Sequence, residues 1–134
     1  MKEKKRSIEV KGYNLEKYLF ALHRITGIYM IAFLFFHILV TGQRIDLSIW
    51  DRTAISLTNN FVLLPFVLAV VFHGLNGIRL IISELGFLIG KPRLQIYPYK
   101  AASLGRSQRI LTFTLMTVGV VLSALVVIEF LSRL

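Results

Sequence analysis

Three long segments without a charged residue constrain this chain more than any other feature. Asp, Glu, Lys and Arg are absent from residues 25–42, 61–78 and 110–128. Each segment has about the length, roughly 20 residues, that a helix needs to cross a hydrocarbon core of about 30 Å. A helix at the surface of a soluble protein would carry a polar stripe, whereas apolar residues occupy every face of these segments.

The sequence therefore predicts an all-α membrane protein in which residues 1–134 form a single transmembrane domain. The helices are expected at about residues 15–41, 59–89 and 107–131. Three helices make a thin bundle with little internal core, so we expect further membrane subunits to complete a larger one. Gly119, Ser123 and Ala124 give the third helix a surface of small residues that suits close packing against another helix.

The positive charge of the chain is distributed unevenly between its loops. The formal net charge is +9, with seven Lys or Arg in residues 1–24 and five in residues 91–109. The loop at residues 43–60 has only two, balanced by two Asp, and its Trp50 favours a position among lipid headgroups. The positive-inside rule therefore predicts a cytoplasmic N-terminus. Because no soluble module presents the basic residues, no nucleic-acid binding is expected.

The chain has no cysteine, so it cannot supply thiolate ligands to an iron–sulfur cluster or zinc. Any such cluster belongs to a partner. The first apolar segment is too long for a signal-peptide core and lacks a small-residue cleavage site, so we expect it to be retained.

The few ionisable groups inside the expected spans are the candidates for function, because such a group in hydrocarbon is costly unless it is paired or used. The candidates are His23, Arg24, His37, His73, Arg79 and Glu84.

His73 lies near the middle of the second helix, among apolar neighbours. Its imidazole either hydrogen-bonds a neighbouring helix or binds a metal, and haem iron is the metal most compatible with apolar walls and histidine ligation. Gly77 lies one turn further along the same face, where the missing side chain would let a flat macrocycle or a second helix approach. The spacing leaves both interpretations open.

His37 lies near the outer end of the first helix, where it is either an interfacial residue or a second metal ligand. By the helical rise, His73 lies about 20 Å below the outer end of its helix and His37 about 6 Å below that of its own. Two axial ligands of one iron lie at one level, so these histidines would serve two haems stacked across the membrane. A second membrane subunit would supply the missing ligands, because His23 is expected at the inner surface.

Four ionisable groups are expected near the inner side. His23 and Arg24 mark the entry of the first helix, and Arg79 and Glu84 lie towards the inner end of the second. Such residues often only anchor a helix at the interface. They also suit a quinone head, whose carbonyl oxygens need donors and whose reduction needs protons. Alternatively, Arg79 and Glu84 pair with a neighbouring subunit, or one of the two arginines neutralises haem propionates.

Two strings connect these residues with a known family: HRITG at residues 23–27 and HGLNGIR at residues 73–79. They resemble the paired signatures His-Arg-x-Ser/Thr-Gly and His-x-x-x-Gly-Ile-Arg of the cytochrome b subunit of succinate dehydrogenase, respiratory complex II. Either signature alone is weak, but both occur here in the expected topology. Together with the three spans, the resemblance covers nearly the whole chain.

The resemblance implies a subunit in the cytoplasmic membrane that anchors a flavoprotein and an iron–sulfur subunit on the cytoplasmic side. Electrons from succinate would pass through those partners to quinone. It also implies one or two haem b groups, shared with a second haem-binding membrane anchor subunit. His73 matches the family's haem ligand, Arg24 its quinone- and propionate-side arginine, and His23 the propionate-contacting neighbour. Glu84 falls where many members have an acidic residue near the quinone pocket.

The chain departs from the family pattern at two positions. Phe20 stands where well-known members have a quinone-contacting serine, so we expect the hydroxyl, if present, to come from elsewhere, with Thr26 the candidate by proximity. His37 has no counterpart in single-haem members and resembles the first-helix ligand of the two-haem branch. We therefore expect His73 to bind one haem iron and His37 a second, with Arg79 in a supporting role at the inner edge.

Two other functions fit the same residues. A purely structural anchor without haem would use the histidines only for hydrogen bonds between helices. A small transporter subunit would use Arg79 and Glu84 to line a path across the membrane.

Overall fold

The computed structural model describes residues 14–42 and 59–134 of the chain. Most of these residues form three α-helices: α1, Leu15–Gly42; α2, Asn60–Leu85; and α3, Arg106–Leu131. All three are long and apolar enough to cross a membrane. The chain is therefore an all-α membrane protein, as predicted. The expected position of Trp50 among headgroups lies outside the described residues.

The ends of α2 are set by local chemistry. Asn59 precedes the helix, and its side chain accepts a hydrogen bond from the backbone N–H of Phe61 at 3.0 Å. The helix ends at Leu85, four residues before the expected end, because Gly86 adopts a left-handed conformation with φ of 69°. Its N–H bonds the carbonyl of Ile82, and glycine adopts this conformation at little steric cost.

A loop of residues 86–105 joins α2 to α3. It contains one short 3₁₀ turn, Ala101–Ser103. The side chain of Gln108 in the first turn of α3 holds this loop in place. Its Oε1 accepts from the N–H of Gly105, and its Nε2 donates to the carbonyl of Gly90, both at 2.8 Å. The loop is thereby fixed across one end of the bundle, and we call this end the loop end.

The central helix is α2, which packs against both α1 and α3. Against α1, the rings of Phe33 and Phe66 stack with centroids 4.0 Å apart. Against α3, a Cβ built on Gly119 would lie 3.2 Å from a methyl carbon of Leu75. The two helices therefore approach closely at Gly119, as expected for the small-residue surface of α3.

Most of the apolar surface of the described helices is not covered within the chain. The buried apolar residues among those described are few, namely Leu19, Ala69, Pro92 and Tyr99, whereas many large apolar side chains along all three helices are exposed. Exposed apolar surface on membrane-spanning helices faces lipid or other membrane helices. The buried side chains are mostly polar, and they lie towards the loop end.

Candidate functional site

The two histidines of the paired signatures lie against each other between α1 and α2. Their rings are stacked, with centroids 3.9 Å apart and planes inclined by 9°. His23 was expected at the inner surface, but α1 begins at Leu15, two turns earlier, so His23 lies inside the span. The structure thus places His23 beside His73 instead of one level below it.

The ring of His73 is fixed by hydrogen-bond acceptors from α1. Its Nδ1 lies 3.1 Å from the backbone carbonyl of His23 and 3.3 Å from the hydroxyl oxygen of Thr26. The Thr26 hydroxyl donates its own hydrogen to the carbonyls of Leu22 and His23, at 2.8 and 3.0 Å. A carbonyl oxygen can only accept, so the proton of neutral His73 resides on Nδ1. Its lone pair is then on Nε2.

Gly27 makes this close approach possible. A Cβ atom built on Gly27 would lie 3.0 Å from Cε1 and 3.5 Å from Nδ1 of His73. By contrast, a Cβ on Gly77 would meet the His23 ring at 3.8 Å, an ordinary contact. The glycine in the first signature therefore has a specific steric role towards His73, which the spacing alone did not reveal.

The stacked rings do not form a pair of axial ligands. The lone pair of an imidazole lies in the ring plane, and two trans ligands point at one metal from opposite sides. His23 and His73 are instead face to face in nearly parallel planes, with no space for a metal between them. A second ligand to a metal on His73 would have to come from outside this chain. The described residues include no group of three or more His, Asp or Glu arranged to hold a metal ion.

His37 lies far from this pair. It is fourteen positions after His23 on the same helix, a rise of about 21 Å. Its ring is exposed and parallel to that of Phe33, with centroids 6.3 Å apart. His37 and His73 therefore cannot bind one metal ion, and the rise of about 21 Å between their levels exceeds the difference of about 14 Å expected from the sequence.

The buried centre at the loop end is an ion pair between α1 and α2. Nη1 of Arg79 lies 2.7 and 2.9 Å from the two carboxylate oxygens of Glu16, and the side chains are 1% and 5% exposed. The same Nη1 donates to the Thr112 hydroxyl of α3 at 3.1 Å, and Nε donates to Oδ1 of Asn76 at 3.1 Å. One guanidinium therefore connects all three helices.

Sequence reasoning missed Glu16 as the partner of Arg79. Glu16 was not among the candidate residues, although the first helix was expected from about residue 15. An available signal was its position seven residues before His23, which puts both on one face of α1. Once His23 is known to lie beside His73, Glu16 and Arg79 fall at matching levels of the antiparallel pair.

Two tyrosines of the loop cover this ion pair. Tyr99 is 1% exposed, and its ring meets that of Tyr97 edge to face at 5.3 Å. Burial raises the pKa of both hydroxyls above the usual value, and the Glu84 carboxylate raises that of Tyr99 further. Both phenols are consequently neutral at physiological pH. Glu84 itself is exposed at the end of α2 and is not the partner of Arg79.

Arg24, which is exposed, and Phe20, which is half-buried, form a pair on α1. The Arg24 guanidinium carbon lies 4.9 Å from the centre of the Phe20 ring, a cation–π arrangement, and that ring meets Tyr97 edge to face at 5.1 Å. Thr26 is buried and lies two positions after Arg24, about 200° around the helix. The structure therefore brings together Arg24 and Phe20 but not Thr26.

An apolar cleft of ≈520 Å³ opens on the side of α1 that carries Thr26. Residues of α1 and α2 line it, with Ser123 of α3 at one edge. It contains neither of the stacked histidines.

These features define a class: a three-helix membrane protein with a histidine pair inside the span and a buried ion pair at one end. The sequence matches the family described as Succinate dehydrogenase/Fumarate reductase transmembrane subunit over residues 2–127. The chain belongs to this family, whose members are membrane subunits of a redox enzyme complex. No curated protein and no solved structure matches the chain.

Proposed function

We propose that this chain binds haem b through His73 and contributes to a quinone site at the loop end, as a membrane anchor subunit of succinate:quinone oxidoreductase. The observation that carries the proposal is the hydrogen bond from His73 Nδ1 to the His23 carbonyl. Histidines that ligate metals usually donate their other ring N–H to a carbonyl or carboxylate, which fixes the ring and its tautomer. His73 meets this condition inside an apolar span.

Haem b supplies reversible one-electron chemistry at its iron when bound. Of this chain, His73 would hold the group through Nε2, and Gly27 and Thr26 would hold the imidazole in place. His23 fits a role towards a propionate, because its Nδ1 is buried without a hydrogen-bond partner among the described residues. Arg24, which is exposed and lies near the same level, fits either a propionate or quinone.

The roles of two predicted residues are revised in this proposal. Arg79 uses Nη1 and Nε on Glu16, Thr112 and Asn76, so we assign it to joining the helices instead of to propionate or quinone. Thr26 donates its hydrogen within α1 and faces away from Arg24, so we assign it to His73 and not to quinone.

The proposed quinone contacts of this chain are Phe20, Arg24 and, nearer the loop, Glu84. The cation–π pair places a donor beside an aromatic ring, which suits a flat ring with carbonyl oxygens. Phe20 cannot supply the hydroxyl that a serine supplies in other members. We infer that a partner subunit completes the site, as the open face of α1 allows.

We further propose that His37 binds a second haem, nearer the other end of the bundle. A second haem-binding anchor subunit would supply the remaining axial ligands. A flavoprotein and an iron–sulfur subunit would dock on the loop end, on the cytoplasmic side. The rise of about 21 Å between the levels of His73 and His37 supports separate haems.

The test is the haem content and the reduced-minus-oxidised spectrum of the purified complex. We expect a b-type band from two haems in the unmodified complex. His73→Ala should remove the inner haem and His37→Ala only the outer one. Because each histidine would serve a different haem, each variant should keep about half of the haem. Full haem content in His37→Ala would refute the second haem, and full content in His73→Ala would refute the assignment of His73.

The same spectrum separates the alternatives. Absence of any b-type band would leave a structural anchor without haem. A transporter subunit is disfavoured by the observation that Arg79 is paired with Glu16 and 1% exposed, so it does not line an open path.

A further inference from the structure

A groove between α1 and α3 runs along one face of the bundle and is formed by three adjoining cavities. The cleft of ≈520 Å³ is followed, towards the loop end, by cavities of ≈360 and ≈200 Å³. The first two share Phe72 and Ser123 among their lining residues, and the second and third share Leu15. The lining residues of α3 recur at spacings of three and four, so they lie on one side of that helix. The cavities therefore lie end to end in one groove.

The length of the groove matches the depth of one membrane leaflet. It extends along α1 from Leu15 to Tyr29 and along α3 from Arg109 to Ser123, a rise of about 21 Å on each helix. One leaflet contributes half of a hydrocarbon core of about 30 Å, or about 15 Å. The groove thus spans the acyl chains of one leaflet and reaches the level of its headgroups.

The two larger cavities are suited to a hydrocarbon chain. Ser123 is the one polar side chain that lines the middle cavity. The cleft adds Thr26 and Tyr29, but the Thr26 hydroxyl donates to carbonyls of its own helix and the Tyr29 hydroxyl donates to the carbonyl of Val62 at 3.4 Å. A polar ligand would lose its hydration there for few hydrogen bonds in return. An elongated apolar ligand fits these cavities better.

The loop end of the groove is basic. Arg109 lines the smallest cavity and is exposed. One of its N–H groups donates to the carbonyl of Ala101 at 2.8 Å, and a guanidinium has five such groups. Residues 86–109 contain five Lys or Arg and no Asp or Glu. Glu16 also lines this cavity, but its charge is neutralised by Arg79. This end of the groove therefore complements an anionic group such as a phosphate.

The groove lies apart from the proposed cofactor and quinone contacts. Neither His23 nor His73 is among its lining residues. Arg24 lies about 200° around α1 from Leu22, which lines the groove. The partner subunit that completes the quinone site would therefore contact the other side of α1, a step that rests on the proposed function. The groove side is then left facing lipid.

We propose that this groove binds one anionic phospholipid. Its phosphate lies at Arg109, and one acyl chain extends between α1 and α3, past Ser123 towards Tyr29. The lipid fills the space between two helices that both pack against α2. It differs from a freely exchanging lipid because charge and shape select it together.

Photo-crosslinking in the assembled complex tests the proposal. The complex is placed in nanodiscs of phosphatidylglycerol and phosphatidylcholine, and benzoylphenylalanine replaces Val120, an exposed residue in the groove lining. The matched control is the same replacement at Val121, which is exposed but does not line the groove. We expect adducts at position 120 to be enriched in phosphatidylglycerol relative to the membrane, and adducts at position 121 to follow its bulk composition.

Equal lipid ratios at the two positions would overturn the inference. An adduct at position 120 with a partner subunit or with residues 1–13 would also overturn it, because the groove would then hold a protein segment. Neither readout depends on haem or quinone, so this test can fail while the proposed function holds, and the reverse.

Two substitutions separate the contributions of shape and charge. Ser123→Phe fills the groove where the two larger cavities meet, and Arg109→Gln removes the charge at its end. We expect either one to abolish the enrichment, whereas Arg133→Gln, an exposed arginine beyond the other end of α3, should preserve it. If Arg109→Gln does not assemble, high salt applied to the unmodified groove should lower the enrichment by screening. Enrichment that survives Ser123→Phe, or survives both removal and screening of the charge, would refute the site.

Discussion

At the scale of single residues, the structure identifies how α1 holds the imidazole of His73. The backbone carbonyl of His23 accepts a hydrogen bond from the Nδ1–H of His73, and the Thr26 hydroxyl donates to the same carbonyl. Gly27 leaves space for the ring. The family signature HRITG at residues 23–27 therefore has a physical meaning that involves the opposite helix. His23, Thr26 and Gly27 position His73, and in the proposed function His73 is the one residue of this group that would touch the metal.

Gly27→Ala tests this explanation. Its Cβ would lie 3.0 Å from Cε1 of His73, closer than real Cβ contacts normally are, so the ring must move away from the His23 carbonyl. We expect the haem assigned to His73 to be lost or its midpoint potential and absorption band to shift, with the other haem unchanged. The measurements are haem content and redox titration of the purified complex.

Gly74→Ala is the matched control, because a Cβ at Gly74 would have no neighbour within 4 Å inside the chain. It adds the same methyl group to α2 and should leave the spectrum unchanged. If Gly27→Ala gives an unmodified spectrum and potential, Gly27 does not position His73.

At the scale of helices, the residues buried in the bundle are mostly polar and include one buried ion pair. Arg79 bonds Glu16 of α1, Asn76 of its own helix and Thr112 of α3. Such a pair is not necessarily more stable than apolar residues of the same shape, but the loss of one partner leaves a buried charge uncompensated. The arrangement therefore favours one register of the three helices.

Glu16→Gln should destabilise the assembled subunit strongly, by about 3–5 kcal/mol, because Arg79 would remain buried without a counter-charge. The double variant Glu16→Leu with Arg79→Met removes both charges, so it should be more stable than the single variant. Thermal and chemical denaturation of the purified complex, followed by loss of this subunit, would measure both effects.

The exposed pair of Arg133 and Glu129 provides the control. Its atoms are 2.6 Å apart, but the side chains are 71% and 59% exposed. Glu129→Gln should therefore cost only about 0–1 kcal/mol. Similar losses in Glu16→Gln and Glu129→Gln would contradict a special role for the buried pair.

At the scale of the whole molecule, the three helices are an incomplete bundle. Apolar side chains are exposed along each helix, and the described residues include no group of three or more possible metal ligands. Membership in the transmembrane-subunit family agrees with assembly in a larger complex. The loop end, with its basic residues 91–109, is where we propose the hydrophilic partners dock.

The orientation of the molecule can be tested directly because the chain has no cysteine. A cysteine introduced as Lys100→Cys in the loop should react with a membrane-impermeant maleimide only after the cells are permeabilised. Leu134→Cys, beyond the end of α3, should react in intact cells. Both positions are exposed, so their reactivity reports sidedness. The reverse pattern would show that the positive-inside assignment is wrong and that the hydrophilic partners cannot dock from the cytoplasm.

The sequence by itself determined the fold class, because the need to satisfy backbone groups inside a membrane leaves few options for three apolar segments of this length. The bounds of α1 and α3 lie within one residue of those expected, whereas α2 ends early since the conformation of Gly86 is a local choice that hydropathy does not report. The paired signatures also identified the family, and helical rise separated the levels of His37 and His73.

Only the tertiary structure decided which side chains meet. The depth of a residue along one helix follows from the helical rise, but the register between α1 and α2 depends on packing. His23 was therefore expected at the inner surface and not beside His73, and Glu16 was overlooked as the partner of Arg79. Thr26 and Arg24 are neighbours in the sequence and nearly opposite on the helix, which separates their functions. The burial of Tyr99 against Tyr97 likewise depends on how a loop folds back over α2, a contact that no periodicity in the sequence encodes.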